Sequence, residues 1–127
     1  MGDEEPTLRT GLVGEATHMV GEADTASSVG SGDVPIYATP ALAALIERAA
    51  VAAVASALPE GSTSVGTRIN LHHVAPSTVG AEVRAVATLT EISQKRLRFE
   101  CEALDGETTI GRCTHERVIV DRDRFLG

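Results

Sequence analysis

Three side chains of this sequence could together carry out acyl or proton transfer: a threonine, a carboxylate and an imidazole. Thr39 stands at a helix start signal, because its hydroxyl can cap free N–H groups and Pro40 suits the first helical position. The free N–H groups of a helix start can also stabilise a developing oxyanion. Simple capping is the structural alternative for Thr39, and the two roles are compatible.

Glu47 is the carboxylate, and it lies inside the same predicted helix, which runs from Thr39 to Leu58 and is ended by Pro59 and Gly61. At about 100° per residue, the neighbours of Glu47 on its own face are Ala43, Ala44, Ala50, Val51 and Val54. A carboxylate on an apolar face needs a partner, a proton or a cavity. The alternative is a carboxylate at the boundary of the apolar stripe that points to solvent.

His73 is the imidazole, on a stretch whose apolar residues recur at every second position. In the predicted strand Ser64–Val74 the odd positions face the core, so His73 points inward and His72 points away. These odd positions are Val65, Thr67, Ile69, Leu71 and His73. The alternative for His73 is a core histidine bonded to a backbone carbonyl. His18 and His115 stand alone, and we expect surface or packing roles for both.

Helix geometry limits how these groups can combine. Eight residues at a rise of ~1.5 Å separate Thr39 from Glu47 by ~12 Å along the axis, so the two side chains cannot touch within one helix. An antiparallel helix related by two-fold symmetry would bring the glutamate of one chain near the helix start of the other. We therefore predict a homodimer with two composite sites.

The elements that must position these residues follow a simple order. A short strand within residues 11–20 precedes a loop rich in Gly, Ser and Asp over residues 21–38, which could cover the helix start. After the helix, short turns join strands with a period of two, and Asp105-Gly106 is the clearest turn. The predicted strands are Ser64–Val74, Ala81–Glu91, Arg96–Leu104 and Thr108–Asp121. Short turns favour antiparallel neighbours, so we predict an α+β fold with one long helix covering an antiparallel sheet.

Size and composition set further limits. The 127 residues suit a single domain, assigned to residues 11–127, behind a flexible tail of residues 1–10. Aromatic residues make up only 2%, so the core must consist of small aliphatic side chains on closely approaching elements. The net charge of −7 argues against nucleic acid, and charges in the middle of the long helix argue against a membrane span. The absence of a signal peptide and the two cysteines, Cys101 and Cys113, predict a cytoplasmic protein with reduced core thiols. No spacing indicates a metal site.

Three segments in the same order resemble the fluoroacetyl-CoA thioesterase branch of the hot-dog thioesterases. They are Ala38-Thr39 through Glu47, Gly66-Thr67 through His73, and Gly111 through Thr114-His115-Glu116-Arg117. The likeness covers most of residues 11–125. It implies the hot-dog fold, in which the sheet wraps around one long central helix. It also implies hydrolysis of a small acyl-CoA thioester at the interface of a homodimer or a dimer of dimers.

The resemblance also assigns roles to individual residues. Thr39, Glu47 and His73 take the positions of the family's catalytic threonine, glutamate and histidine. Gly66 and Arg117 take substrate-binding positions near the acyl group and the dimer seam. No cofactor is expected, since CoA is part of the substrate.

Other features bear on specificity and on competing functions. Tyr37 is the only aromatic residue ahead of the helix, where the family has an aromatic-rich lid, so we expect a general acyl-CoA thioesterase rather than one specific for fluoroacetyl groups. One alternative is a protein of the same fold that binds an acyl or aromatic ligand without hydrolysing it. A dehydratase ranks lower, because an Asp-x-Asn-Pro-x-His signature is absent.

Four basic residues could bind the CoA phosphates or simply form a solvated strand face: Lys95, Arg96, Arg98 and Arg112.

Overall fold

The computed structural model describes residues 7–127, which form a five-stranded antiparallel sheet and a long helix. The strands are β1 (Val13–Met19), β2 (Ser62–His73), β3 (Glu82–Ser93), β4 (Arg96–Asp105) and β5 (Thr108–Asp121). The helices are α1 (Ala26–Val29), α2 (Thr39–Val54) and α3 (Arg122–Leu126), with a 3₁₀ turn over Glu22–Asp24. Residues 1–6 of the predicted tail lie outside the described residues, and Leu8 packs against the core.

The strands lie in the order β1-β3-β4-β5-β2, and every neighbouring pair is antiparallel. Tight turns join β3, β4 and β5 as predicted. The prediction that β2 and β3 are also neighbours is wrong, because β2 pairs with β5 at one edge and β3 lies next to β1 at the other. The eight residues between β2 and β3 are long enough to cross the end of the sheet. They bond to the segment before α2, for example from Tyr37 N–H to Ser77 C=O at 2.8 Å.

Helix α2 begins at Thr39, but its cap differs from the predicted one. Ala38 is the N-cap residue, its carbonyl accepts the first intrahelical bond from Leu42 N–H at 3.0 Å, and no side chain caps the helix. Pro40 still lies in the first turn, where its missing N–H is not needed. The helix ends at Val54, short of the predicted Leu58, and a tighter turn follows in which Ala57 N–H donates to the Val54 carbonyl at 2.9 Å.

The core consists of small side chains, as the composition predicts. Helix α2 packs mainly against β1 and β3. At the closest approach the backbone of Gly14 touches the helix backbone, and a Cβ at residue 14 would overlap the carbonyl oxygen of Ala49 and the amide of Ala53. Most of the other buried side chains are aliphatic, and Phe99 and Tyr37 contribute two large, fully buried rings. The low aromatic content therefore goes together with close contact between helix and sheet.

The segment predicted as a loop over residues 21–38 is partly anchored. Thr25 forms a bridge with Tyr37, and Ile36 forms one with Thr78 in the β2–β3 connection. The ring of Tyr37 is 2% exposed and belongs to the core, where burial raises its pKa to about 12. Residues 27–35 between these anchors are exposed. The single aromatic residue of this segment therefore supports the fold rather than covering the helix start.

Strand β2 contains a bulge at Thr67. Gly66 lies opposite Arg117 and Arg68 lies opposite Glu116, so Thr67 has no partner residue in the ladder. One extra residue reverses the side-chain alternation along the strand. Even-numbered residues up to Gly66 and odd-numbered residues after the bulge therefore share the face that packs toward α2.

The bulge corrects part of the predicted strand pattern. His73 lies on the inner face opposite Gly111, as predicted. The inward assignment of Val65 and Thr67 is wrong, since these residues precede or form the bulge. Ser64 and Gly66 take the inner positions instead.

The two cysteines lie directly opposite each other in the ladder between β4 and β5. Cys101 and Cys113 are both buried, which confirms the predicted core positions, and no disulfide joins them. Of the helices within residues 7–127, none has the length and apolar character that a membrane span requires.

Candidate active site

Thr39 and His73 meet where α2 begins and β2 ends. Thr39 Oγ1 and His73 Nδ1 share a hydrogen bond of 2.8 Å. The hydroxyl is available for this bond because Ala38, and not Thr39, is the N-cap residue. The first intrahelical bond starts at Leu42, so the N–H groups of Thr39 and Ala41 have no acceptor within the helix. A hydroxyl, an imidazole and free N–H groups therefore share one end of α2.

The second nitrogen of His73 is unsatisfied. Nε2 is buried and has no hydrogen-bond partner among the described residues. Burial also lowers the pKa of His73, because the charged imidazolium loses solvation. A neutral ring with one bonded and one open nitrogen can accept or deliver a proton at Nε2. This open nitrogen distinguishes His73 from a core histidine bonded only to a backbone carbonyl.

Glu47 lies at the boundary of the buried stripe of α2 and has a partner. Its Oε2 accepts a hydrogen bond from Arg117 Nη1 at 3.1 Å, and His115 Nε2 lies 3.8 Å away. The side chain is 43% exposed, so one side of the carboxylate remains accessible. The structure thus combines the two alternatives for Glu47, a boundary position and a specific partner.

The guanidinium of Arg117 is buried and almost fully bonded. Nε donates to Ser64 Oγ at 2.8 Å, and Nη2 donates to the Ser64 carbonyl at 3.0 Å. Nη1 contacts both Glu47 Oε2 and His115 Nε2 at 3.1 Å. A buried cation requires such partners, because an unpaired charge in the interior costs several kcal/mol.

Gly66 provides the room for this carboxylate. A Cβ at residue 66 would overlap Glu47 Oε2 and would stand 3.3 Å from both Arg117 Nη1 and His115 Cε1. Gly66 lies on this face only because the bulge at Thr67 reverses the strand. The absence of a side chain here lets the end of Glu47 rest against β2.

The five predicted site residues form two groups within one chain. Thr39 and His73 form the first group. Glu47, Gly66 and Arg117 form the second. Thr39 and Glu47 lie ~12 Å apart along the axis of α2, and this distance keeps the two groups apart. Within residues 7–127, no hydrogen bond or ion pair joins the two groups in one chain, which agrees with the geometric limit derived from the sequence.

Two residues that bond to Arg117 of the second group, Ser64 and His115, were not among the predicted site residues. Ser64 was assigned to the outer face because the bulge is not visible in the alternation. His115 was expected to have a surface or packing role, yet it is 1% exposed and bonds to Arg117. The period of two along β5 places His115 and Arg117 on one buried face with Cys113. The presence of two basic residues on one buried strand face is the sequence signal that could have identified His115 as part of the site.

The candidate phosphate-binding residues do not join either group. Lys95, Arg96, Arg98 and Arg112 are all exposed at or next to the outer face of β4 and β5. This placement agrees with the solvated strand face as the simpler interpretation. Within residues 7–127, no three His, Cys, Asp or Glu side chains cluster in a way that could hold a metal ion.

Comparison with known proteins identifies the family. A family model described as fluoroacetyl-CoA-specific thioesterase matches residues 20–123. The fluoroacetyl-CoA thioesterase of Streptantibioticus cattleyicolor is 36% identical over 90 residues, which span 71% of this chain but only 65% of that relative's length.

Solved structures agree with this match. A substituted form of the fluoroacetyl-CoA-specific thioesterase FlK, in complex with fluoroacetate and CoA, has a TM-score of 0.86 at 29% identity over 93% of this chain and 99% of that chain. A hot-dog-like protein from Thermanaerovibrio acidaminovorans has a TM-score of 0.85 at 26% identity over 94% and 88%. The predicted hot-dog fold is therefore confirmed, and the chain belongs to the fluoroacetyl-CoA-specific thioesterase family.

Proposed function

We propose that this protein hydrolyses small acyl-CoA thioesters to the free acid and CoA. The observation that carries the proposal is the bond between Thr39 and His73 at the start of α2, with His73 Nε2 buried and unpaired within residues 7–127. A helix start can stabilise the oxyanion of a tetrahedral intermediate, and the open imidazole nitrogen can exchange a proton beside it. The family and its member solved with fluoroacetate and CoA support the thioester as substrate.

The proposed site is completed by a second copy of the chain. The α2 face beside Glu47 is open, and it forms a shallow depression lined by Ala44, Glu47, Arg48, Val51, Ala52 and Arg117. Strand β2 is an edge strand, and its residues 66–70 are exposed. An unpaired strand edge beside an open apolar helix face favours association. In a homodimer with antiparallel helices, the partner subunit's Glu47 would stand near Thr39 and His73.

The proposed reaction divides the chemistry among these residues. The thioester carbonyl lies near the start of α2, where the free backbone N–H groups of Thr39 and Ala41 stabilise the oxyanion. The carboxylate of Glu47 either takes a proton from water, whose oxygen adds to the carbonyl carbon, or adds to that carbon itself. The C–S bond then breaks, and the leaving thiolate receives a proton from His73 Nε2. Where Glu47 itself has added, a water molecule then cleaves the mixed anhydride, which releases the acid and restores the carboxylate. This tautomer requires the Thr39 hydroxyl to donate to Nδ1, which the 2.8 Å bond permits.

We propose that the protein accepts a broad range of small acyl groups. It requires no cofactor, since CoA is part of the substrate. The aromatic side chain ahead of α2 is buried in the core, and the exposed residues 27–35 contain no aromatic ring that could contact the acyl group. The two free cysteines are compatible with a reducing, cytoplasmic location.

Glu47→Gln tests the proposed hydrolysis directly, because it keeps the shape of the side chain and removes the base. We expect turnover of acetyl-CoA and other short acyl-CoA thioesters to fall at least about a hundredfold, in the range that general-base catalysis contributes. Glu107→Gln, at an exposed position in the β4–β5 turn, is the matched control and should retain the parent rate. Equal turnover by Glu47→Gln and the parent would refute the assignment. Binding of acyl-CoA without turnover by the parent would instead support the ligand-binding alternative.

A further inference from the structure

His115 is a fully buried histidine that makes two polar contacts at opposite ends of its ring. Nδ1 lies 2.7 Å from the carbonyl oxygen of Arg68, and Nε2 lies 3.1 Å from Arg117 Nη1. The ring also stacks on Phe99, with centroids 6.0 Å apart. The imidazole is therefore fixed by packing on one side and by hydrogen bonds at both nitrogens.

These contacts determine the tautomer of His115. A carbonyl oxygen can only accept, so Nδ1 must carry the proton and donate it to Arg68. A guanidinium nitrogen can only donate, so Nε2 must be unprotonated and accept from Arg117. Both bonds can exist together only when the ring is neutral and protonated at Nδ1.

The same bonds determine where Arg117 points. Nη1 carries two hydrogens, of which one is directed to His115 Nε2 and the other to Glu47 Oε2. Nε and Nη2 are held by the side chain and carbonyl of Ser64. Without His115, one Nη1 hydrogen would lose its acceptor, and only the two bonds to Ser64 and the carboxylate itself would hold the end of the guanidinium that faces Glu47. The orientation of Glu47 thus depends on an imidazole that does not bond to it.

We propose that His115 is a positioning residue for Glu47, which acts through Arg117 and requires the neutral ring protonated at Nδ1. The catalytic importance of this positioning rests on the proposed function, in which Glu47 is the base or nucleophile. The position of the ring against Arg117 and Arg68 does not depend on that function. The two parts can therefore be tested separately.

The charged groups around the ring favour the neutral state. Burial lowers the pKa of His115, and the cation of Arg117 on the same strand acts in the same direction. Glu47 on α2 and Glu116 on β5 act in the opposite direction, as does the bond to the Arg68 carbonyl on β2. A protonated Nε2 would face the Arg117 Nη1 cation at 3.1 Å, so protonation would break the contact that orients Glu47.

Two substitutions separate positioning from packing. His115→Phe keeps an aromatic ring against Phe99 but removes both nitrogens, whereas the carbonyl of His115→Gln can again accept from Arg117. We expect His115→Phe to lower kcat about ten- to a hundredfold, as for the loss of a hydrogen bond to a charged group, with KM changed less than about threefold. His115→Gln should recover most of kcat. His72→Gln, at an exposed position of β2, is the matched control and should match the parent.

A double substitution tests whether His115 acts through Glu47. In the Glu47→Gln background, His115→Phe should cause little further loss of kcat, because the group that it positions is already absent. If the loss of kcat in the double variant equals the product of the losses in the two single variants, the proposal is overturned. An unchanged kcat in His115→Phe would also overturn it, as would a His115→Gln variant as slow as His115→Phe.

Nitrogen-15 NMR of the full-length parent protein tests the geometry without any assay of activity. We expect the His115 ring to be neutral and protonated at Nδ1 at neutral pH, and the Nη hydrogens of Arg117 to exchange slowly with water. A ring that is cationic or protonated at Nε2 would overturn the proposal even if the substituted proteins fail to fold. If the NMR result is as expected but Glu47→Gln remains fully active, the proposed function fails while the contact between His115 and Arg117 stands.

Discussion

Thr39 Oγ1 lies 2.8 Å from His73 Nδ1, so the first turn of α2 and the end of β2 are joined by one side-chain bond. The bond links residues 34 positions apart, and the other imidazole nitrogen is buried with no partner in the described part of the chain. The helix start and the proton-carrying group of the proposed site therefore have a fixed relation to each other.

Substitution of Thr39 should affect catalysis more than folding. Thr39→Val keeps the shape and removes the hydroxyl, so the His73 tautomer with a proton on Nε2 is no longer favoured. We expect kcat to fall about ten- to a hundredfold. This is the loss expected when one hydrogen bond to a group that becomes charged in the reaction is removed. Thr39→Ser restores the hydroxyl and should recover much of the rate. Steady-state kinetics with a short acyl-CoA measures both, and equal kcat for Thr39→Val and the parent would contradict the role of the bond.

Gly66→Ala should reduce activity more than stability. The new Cβ would overlap Glu47 Oε2, which is the end of a flexible side chain and can move away. The displaced carboxylate would lose its bond to Arg117, so kcat should fall at least about tenfold. The free energy of unfolding should fall by about 1–2 kcal/mol, less than for a fully unpaired buried charge, because the guanidinium keeps its bonds to Ser64 and His115. Gly21→Ala is the control, since its Cβ would meet only ordinary contact with Asp24. Parent-like activity in Gly66→Ala would show that the close approach of Glu47 to β2 has no catalytic importance.

Gly14→Ala should have the opposite effect and destabilise the fold. Its Cβ would overlap backbone atoms of Ala49 and Ala53, which cannot move without separating α2 from β1. We expect a loss of about 3 kcal/mol or more in the free energy of unfolding, at the upper end for overpacking of a core. Urea denaturation of both proteins measures the difference. A loss below about 1 kcal/mol would mean that helix and sheet are less closely packed than this contact implies.

Val51→Asp should separate the proposed dimer and abolish activity together. Val51 is 43% exposed on the open face of α2 beside Glu47. A carboxylate buried against a second copy would lose its solvation beside the existing carboxylate of Glu47, which opposes association. Light scattering should give the mass of two chains for the parent and of one chain for the variant. Val13→Asp, on the opposite edge strand β1, should remain dimeric, and a fully active Val51→Asp monomer would contradict the composite site.

Stability should decrease when the pH falls from neutral. Burial lowers the pKa values of His73 and His115 in the folded state, whereas both titrate near their ordinary value of about 6.5 when unfolded. The unfolded chain therefore binds more protons below that value, and the free energy of unfolding falls by up to about 1.4 kcal/mol per pH unit for each histidine. The stabilisation is complete above about pH 7.5 and is lost as the pH falls through 6.5 toward the folded pKa values.

His115→Phe provides the comparison for this pH dependence. With one titrating histidine removed, the slope of the unfolding free energy between about pH 7.5 and pH 5.5 should be smaller than in the parent, even if the variant is less stable overall. Urea titrations at several pH values give both slopes. An unchanged slope would show that His115 is protonated equally in the folded and unfolded chain.

The local patterns of the sequence were sufficient for the elements and the fold class. Thr39-Pro40 marked the beginning of α2 correctly, and the period of two marked four strands to within a few residues. The low aromatic content pointed to a core of closely packed small residues, which the contact of Gly14 with α2 bears out. These features depend on neighbours in the chain, so they can be recognised without knowledge of the pairing between strands. The family resemblance, carried by short segments in a fixed order, was equally recognisable.

The composition of the second residue group depended on contacts between distant parts of the chain. The bulge at Thr67 arises from the pairing of β2 with β5, some 50 residues later, and it turned Ser64 and Gly66 toward the helix. The same pairing brought the Arg68 carbonyl to His115, which made that histidine a bonded neighbour of Arg117 rather than packing alone. A residue's type and its spacing along one strand indicate what it can bond to. Only the register between strands decides which partner it meets, because one inserted residue exchanges the two faces of everything that follows.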